Sequence, residues 1–145
     1  MFIKVGDHLM CLCKKRKLSN RVIQSVKTSE EIDINKVSPV SHGRTSESNQ
    51  GIYFLYNNSK EIIYVGKIGI GNGTSLYDRC IKGHREPHIT KSWGSEISSV
   101  KFHKFDRLTE VELEQIESLV ICRLNPIYNN ATISSTDIKT ILSKI

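Results

Sequence analysis

Nowhere in this chain do about 18 apolar residues run together, so no segment reads as a helix that crosses a bilayer. The opening MFIKVGDHLM also lacks the apolar stretch of a signal peptide, and the expectation is a soluble protein that stays in the cytoplasm. The four cysteines (Cys11, Cys13, Cys80, Cys122) have none of the paired spacings of a zinc module, which leaves free thiols in a reducing compartment as the expected state. Cys80, His84 and His88 do recur every four residues, yet Gly83 and Pro87 break the helix that such a zinc face needs. Gly69, Gly71 and Gly73 in KIGIGNGTS are not followed by the rest of a nucleotide-binding motif, so they predict a flexible loop and no ATP site. Prolines number only three and glycines nine in 145 residues, with 38% hydrophobic and 25% charged side chains, a composition that excludes disorder throughout.

A chain of this length builds one core and not two. Its net charge of +6 is uneven: residues 1–50 and 51–107 each carry nine basic and five acidic side chains, and residues 108–145 carry three and five. A positive field over the first two thirds favours nucleic acid or an anionic membrane surface as partner. The run Lys14, Lys15, Arg16, Lys17 is either a solvated face or a track for phosphates.

Residues 1–50 show weak patterning, and RVIQSVKTSEEIDINKV (residues 21–37) fits strand and helix alike. The polar cluster from Ser38 to Gln50 reads as a loop or linker. From Gly51 the signal sharpens, because GIYFLY sets Ile52, Phe54 and Tyr56 against Tyr53 and Leu55, and IIYVG repeats the alternation after a polar turn at Asn57 to Lys60. A symmetric turn there places Tyr53 opposite Tyr64 and Gly51 opposite Gly66. SLYDRCIKG has helical composition and stops at Gly83, and SSVKFHKF supplies a third strand. Thr109 with Glu112 three residues on is a capping-box signature, opening a helix that runs to Asn125-Pro126.

On that last helix Leu113, Ile116, Val120 and Leu124 form one stripe, and Glu117 lies at its edge. An unpaired buried charge costs several kcal/mol, so Glu117 needs a cation or strong hydrogen bonds. The plainer alternative is a partly exposed glutamate, or one paired with a core arginine.

Gly51-Ile52-Tyr53, ten intervening residues, then Tyr64-Val65-Gly66 resembles the paired motif of GIY-YIG nucleases. Later landmarks follow in the family's order: Lys67 directly after the second motif, Arg79 in the first helix, Glu117 in a late helix, and Asn129 after Pro126-Ile127-Tyr128. The resemblance spans roughly Gly51 to Asn130. Two features depart from it: the loop from Ile68 to Leu76 is long, and where some members carry a histidine four residues after the arginine this chain has Gly83, with His84 next.

The resemblance implies an α+β fold, with a three-stranded antiparallel sheet flanked by helices over residues 51–130. Residues 1–50 then form a basic extension and 131–145 a tail or short helix. It implies a Mg²⁺-dependent DNA endonuclease of restriction or phage and mobile-element type, with Mn²⁺ as a substitute metal; the alternative is an inactive DNA-binding module derived from the same fold. Glu117 would hold the metal, with water and phosphate as the other ligands. Arg79 offers a planar fork for phosphate and Lys67 a point charge. Tyr53 is the family's usual general base, which requires its pKa to be shifted downward by Lys67 and the metal, and His84 is the rival base. Tyr64 would orient water or phosphate, and the alternative reading of Tyr53 and Tyr64 is a packed cross-strand pair. The N-terminal arm and the loops at residues 68–75 and 83–95, with Lys82 and Arg85, are the candidates for contacting duplex DNA. One active site cuts one strand, so double-strand cleavage implies a homodimer or homotetramer.

Overall fold

A computed structural model gives the fold and describes residues 2–5, 8–43, 50–69, 75–83, 85–105 and 108–129. The chain begins with a hairpin, β1 (Phe2–Val5) and β2 (His8–Cys11), which forms its own two-stranded sheet. Helix α1 (Leu12–Val26) follows, and Lys15, Ser19, Val22 and Val26 lie buried along it at helical spacing. A two-residue strand β3 (Ile32–Asp33) leads to a single 3-10 turn capped by the Asp33 carboxylate, which accepts from the Asn35 amide at 2.8 Å. The segment read as a loop then holds one helical turn, α2 (Pro39–His42), because Ser38 caps it and Pro39 occupies its first position.

The central hairpin is β4 (Gly51–Tyr56) and β5 (Ile62–Ile68). A short helix α3 (Leu76–Cys80) is capped by Ser75, strand β6 (Ser99–Lys104) follows, and α4 (Glu110–Leu124) ends the described core. Both hydrogen bonds of the Thr109–Glu112 capping box are present, and Asn125 stops α4 in the left-handed region at φ 46°.

The result is a small α+β domain whose main sheet is antiparallel in the order β3-β6-β4-β5. Four strands stand where three were expected, because β3 from the weakly patterned N-terminal region pairs with β6 through Ile32 and Val100. All six residues of β4 are buried, so the alternation read in GIYFLY divides two covered faces rather than an inside from an outside. Ile52, Phe54 and Tyr56 pack with Val22 and Val26 of α1 and with Leu113, Ile116 and Val120 of α4. Tyr53 and Leu55 pack on the opposite face with Leu76, Cys80 and Ile97. The first 50 residues therefore contribute a helix and a strand to the same core as the hairpin. The expected tail, residues 131–145, lies outside the described residues.

The hairpin register differs from the symmetric-turn expectation. Tyr53 faces Gly66, and Leu55 faces Tyr64. Two local features shift it: the turn closes with Asn57 accepting from the Ser59 and Glu61 amides and Lys60 at φ 62°, and an irregularity intervenes between Leu55 and Tyr56. A displacement of two residues preserves side-chain parity, so Tyr53 and Tyr64 still share a face, with ring centroids 6.2 Å apart.

Candidate functional site

Tyr53 is 2% exposed, and its ring lies across Gly66 on the neighbouring strand. A Cβ built on Gly66 would overlap the Tyr53 Cζ and hydroxyl, so only glycine lets the phenol lie in this place. Gly66→Ala is expected to destabilise the protein by about 1–3 kcal/mol through overpacking and to displace Tyr53. Urea unfolding gives the first effect, and loss of the Tyr53 contact in NMR spectra gives the second. An unchanged midpoint would contradict the close approach.

The Tyr53 hydroxyl is hydrogen-bonded to His88 Nε2 at 2.6 Å. His88 opens the 3-10 turn His88–Thr90, where Pro87 ends one extended stretch and starts the fold-back. Sequence reasoning passes over His88 for a catalytic role, since Pro87 was weighed only as a helix breaker; the break is what turns the imidazole onto the hairpin. His84 lies outside the described residues. A stack of rings completes this wall: Tyr64 and His88 at 4.5 Å, Tyr64 and Trp93 at 5.6 Å, and Trp93 and Tyr128 nearly parallel at 4.6 Å. The ammonium of Lys91, another residue the sequence reading missed, lies over the Tyr64 and Trp93 rings at 5.6 and 5.5 Å.

Burial pushes the His88 pKa down to about 3, with Lys91 and Arg79 adding to the effect. The folded protein therefore declines a proton that the unfolded chain accepts near 6.5. His88 contributes stability that is complete above pH 6.5 and lost toward pH 3, about 5 kcal/mol in all. His88→Asn removes this contribution, so the stability of the variant relative to wild type is expected to rise as pH falls from 6.5 to 4. Equal slopes of urea-unfolding free energy for wild type and variant between pH 6.5 and 4 would show that the imidazole is not held neutral.

Tyr53 departs from what a resting general base requires. Burial drives its phenol well above its ordinary range, Tyr64 and Cys80 reinforce the shift, and Arg79 only partly opposes it. Tyr64 is also raised, first by burial and then by Glu117. Both tyrosines are neutral hydroxyls in the metal-free protein. The expected downward shift of Tyr53 is therefore reversed.

Arg79 comes from α3, beside Asp78, whose backbone amide and carboxylate are both engaged by Ser75. The Arg79 Nε is buried with no hydrogen-bond partner among the described residues. With Tyr53, Tyr64, His88, Arg85 and Lys91, and beside the carboxylates of Asp78 and Glu86, this side chain lines a cleft of about 300 Å³. Glu117 approaches from α4, which packs along β5. Burial raises its carboxyl from near 4.5 to about 7, against the pull of Lys67 and Arg79 and with a push from Glu114. No hydrogen bond or ion pair to the Glu117 carboxylate occurs among the described residues. Lys67 sits nearby, its ammonium 3.3 Å from Glu110. Glu117 is thus in electrostatic reach of Tyr53, Tyr64, Lys67 and Arg79.

Asn129, the last landmark of the resemblance, is hydrogen-bonded to the hairpin backbone. Its side-chain oxygen accepts from the Val65 amide and its nitrogen donates to the Val65 carbonyl, both at 2.8 Å. Since β5 is the sheet edge, Asn129 satisfies backbone groups that would otherwise stay open, and it fastens the turn that carries Tyr128. Its polar atoms serve the strand, which makes it a positioning residue. The basic run also divides. Lys15 is 1% exposed and hydrogen-bonds Gln115 of α4, so it is withdrawn from the DNA-contact candidates, whereas Lys14, Arg16 and Lys17 are exposed. Lys82 and Arg85 are exposed, and Arg85 borders the cleft.

Among the described residues no three or more His, Cys, Asp or Glu side chains converge to hold a metal by themselves. A half-buried carboxylate without a partner among the described residues fits a different donor set, a hard divalent cation that keeps most of its water. No helix of the described residues is long and apolar enough to cross a membrane. Comparison with protein-family models and with curated proteins gave no match to this chain.

Proposed function

We propose that the protein is a Mg²⁺-dependent DNA endonuclease of the GIY-YIG type, acting in the cytoplasm on duplex DNA as a homodimer or homotetramer. One observation carries this reading: Glu117 is held in a poorly solvated place, with no hydrogen-bond or ion-pair partner among the described residues, within electrostatic reach of Lys67, Arg79 and the two hairpin tyrosines. Nothing in the packing of α4 requires a carboxylate there, and its burial is unfavourable unless a cation arrives. The hairpin motif, its following lysine and the helix-borne arginine support the same family.

Phosphodiester hydrolysis asks for phosphate binding, charge neutralisation and an oriented water. The Arg79 guanidinium provides a planar fork at the cleft, and Lys67 adds a second positive charge on the β5 side. Lys91 and Arg85 add cations along the cleft, in excess over the carboxylates of Asp78 and Glu86, where a backbone would run. The Tyr53 and Tyr64 hydroxyls keep their protons, so they orient groups by hydrogen bonding rather than by removing a proton at rest. His88 fixes the Tyr53 hydroxyl from behind. Glu117 would hold the divalent cation, which when bound supplies neutralisation of the phosphate and acidification of water. Glu117 is the group of this cluster that changes charge near neutrality, and its proton must leave before the cation can be held.

Incubating supercoiled plasmid with the protein and Mg²⁺, beside Glu117→Gln and EDTA controls, tests the proposal. Nicked or linear product in the first sample alone is expected. Binding that retards plasmid on a gel without cutting it would replace the enzyme by a DNA-binding module of the same fold.

A further inference from the structure

The sheet face turned away from this cleft carries a second recess. Tyr56, at the end of β4, belongs to the cluster formed with α1 and α4 and not to the face that holds Tyr53. Beside it a groove of about 560 Å³ opens between α1, α4 and the hairpin turn. Its floor is apolar, made by Ile23, Ile62 and Leu124, and its rim carries Lys27, Lys60, Lys101 and the single carboxylate of Glu31.

The rim charges do not cancel. Glu31 is already engaged by Lys60 at 2.8 Å and by the Ser99 hydroxyl at 2.5 Å. Lys101 donates to the Val26 carbonyl at 2.8 Å and lies 5.4 Å over the Tyr56 ring, which leaves N–H donors to spare. Lys27 is exposed, and no hydrogen bond or ion pair reaches its ammonium among the described residues. Tyr56 adds a neutral donor beside them. It is 7% exposed, and its hydroxyl has no hydrogen-bond partner among the described residues. Burial, with the charge of Glu31, pushes its pKa to about 12, so the group is a fixed donor at neutral pH. Its oxygen is reached by solvent at the groove, which leaves it free to donate to a ligand there.

We propose that the groove binds a small organic anion with an apolar body and one acidic head, a carboxylate, sulfonate or phosphate. Lys27, Lys101 and the Tyr56 hydroxyl hold the head, and Ile23, Ile62 and Leu124 cover the body. The volume falls in the range of small-ligand sites, and an apolar floor with few convergent polar groups is their usual chemistry. A sugar-phosphate backbone has no apolar body to fill such a floor. The site shares no lining residue with the candidate catalytic cleft and stands or falls apart from the nuclease reading.

Calorimetric titration of the full chain with 1-naphthalenesulfonate tests this, with 1-naphthol and sodium sulfate as the two half-ligands. One-to-one binding is expected, at least tenfold tighter than for either half. Lys27→Glu alters an exposed ammonium without partners and so preserves the fold; it is expected to weaken binding at least tenfold. Leu124→Trp fills the floor and is expected to abolish it, while Arg79→Gln in the other cleft leaves it unchanged. The proposal is overturned by absence of saturable binding, by equal affinity for 1-naphthol, or by loss with Arg79→Gln but not with Lys27→Glu.

Discussion

Glu117→Gln is expected to lower Mg²⁺-dependent cleavage by at least about 10³-fold and, in the same molecule, to raise metal-free stability at pH 8 by about 3 kcal/mol. The two effects have one cause. An ordinary glutamate titrates near 4.5, and Glu117 near 7. Between those values the folded protein keeps a proton that the unfolded chain has released, so this group makes stability fall as pH rises. The slope is about 1.4 kcal/mol per pH unit. Glutamine has nothing to release. The stability difference between variant and wild type should therefore be small at pH 4, grow up to pH 7 and stay level above it. His88 has the opposite slope below 6.5, so the two nearly offset each other in the wild type between pH 4.5 and 6.5, and Glu117→Gln exposes the His88 limb. Urea unfolding at several pH values measures all of this. Mg²⁺ should raise the wild-type midpoint and leave that of the variant unmoved. A variant no more stable than wild type at pH 8 would mean that the carboxylate has an ordinary partner, and the metal proposal would fall with it.

Local patterns were legible in the sequence because they depend on neighbours in the chain. The hairpin follows from alternation, the α4 start from Thr109 and Glu112, and the place of Glu117 from helical period. What the sequence hid depends on partners distant along the chain. The basic run looks uniform, yet Lys15 stands seven residues before Val22 and eleven before Val26, on the stripe that α4 covers; only the presence of α4 distinguishes it from Lys14 and Arg16. Strand β3 is two residues long and exists because β6 offers it an edge, so no periodicity reveals it. The register missed by two because a turn closed by the Asn57 side chain, followed by a strand irregularity, is not symmetric. Asn129 lies in the expected motif, but its pair of hydrogen bonds to Val65 is a consequence of β5 being the edge strand, which is a property of sheet order. His88 is 35 residues from Tyr53, and only the fold-back at Pro87 brings them together.

Arg79 is expected to reveal two separable roles. A proton and a cation compete for the Glu117 carboxylate, so at low Mg²⁺ cleavage should rise with pH through about 7 and level off above it. Lys67 and Arg79 both pull that midpoint down, Lys67 more strongly. Arg79→Gln removes a charge and the fork together, and should both lower the rate and move the midpoint upward. Arg79→Lys keeps a charge while losing the planar pair of donors; the midpoint should stay close to that of wild type while the rate still falls by about 10²–10³-fold. Lys67→Gln should shift the midpoint upward and further than Arg79→Gln does, with a smaller loss of rate on the plateau, since it contributes charge without a fork. The contrast decides between a guanidinium that only tunes Glu117 and one that grips phosphate. If Arg79→Lys recovered the full rate on the plateau, the buried Nε without a partner would be a packing feature of α3, and phosphate recognition would have to be sought in Arg85 and Lys91 across the cleft.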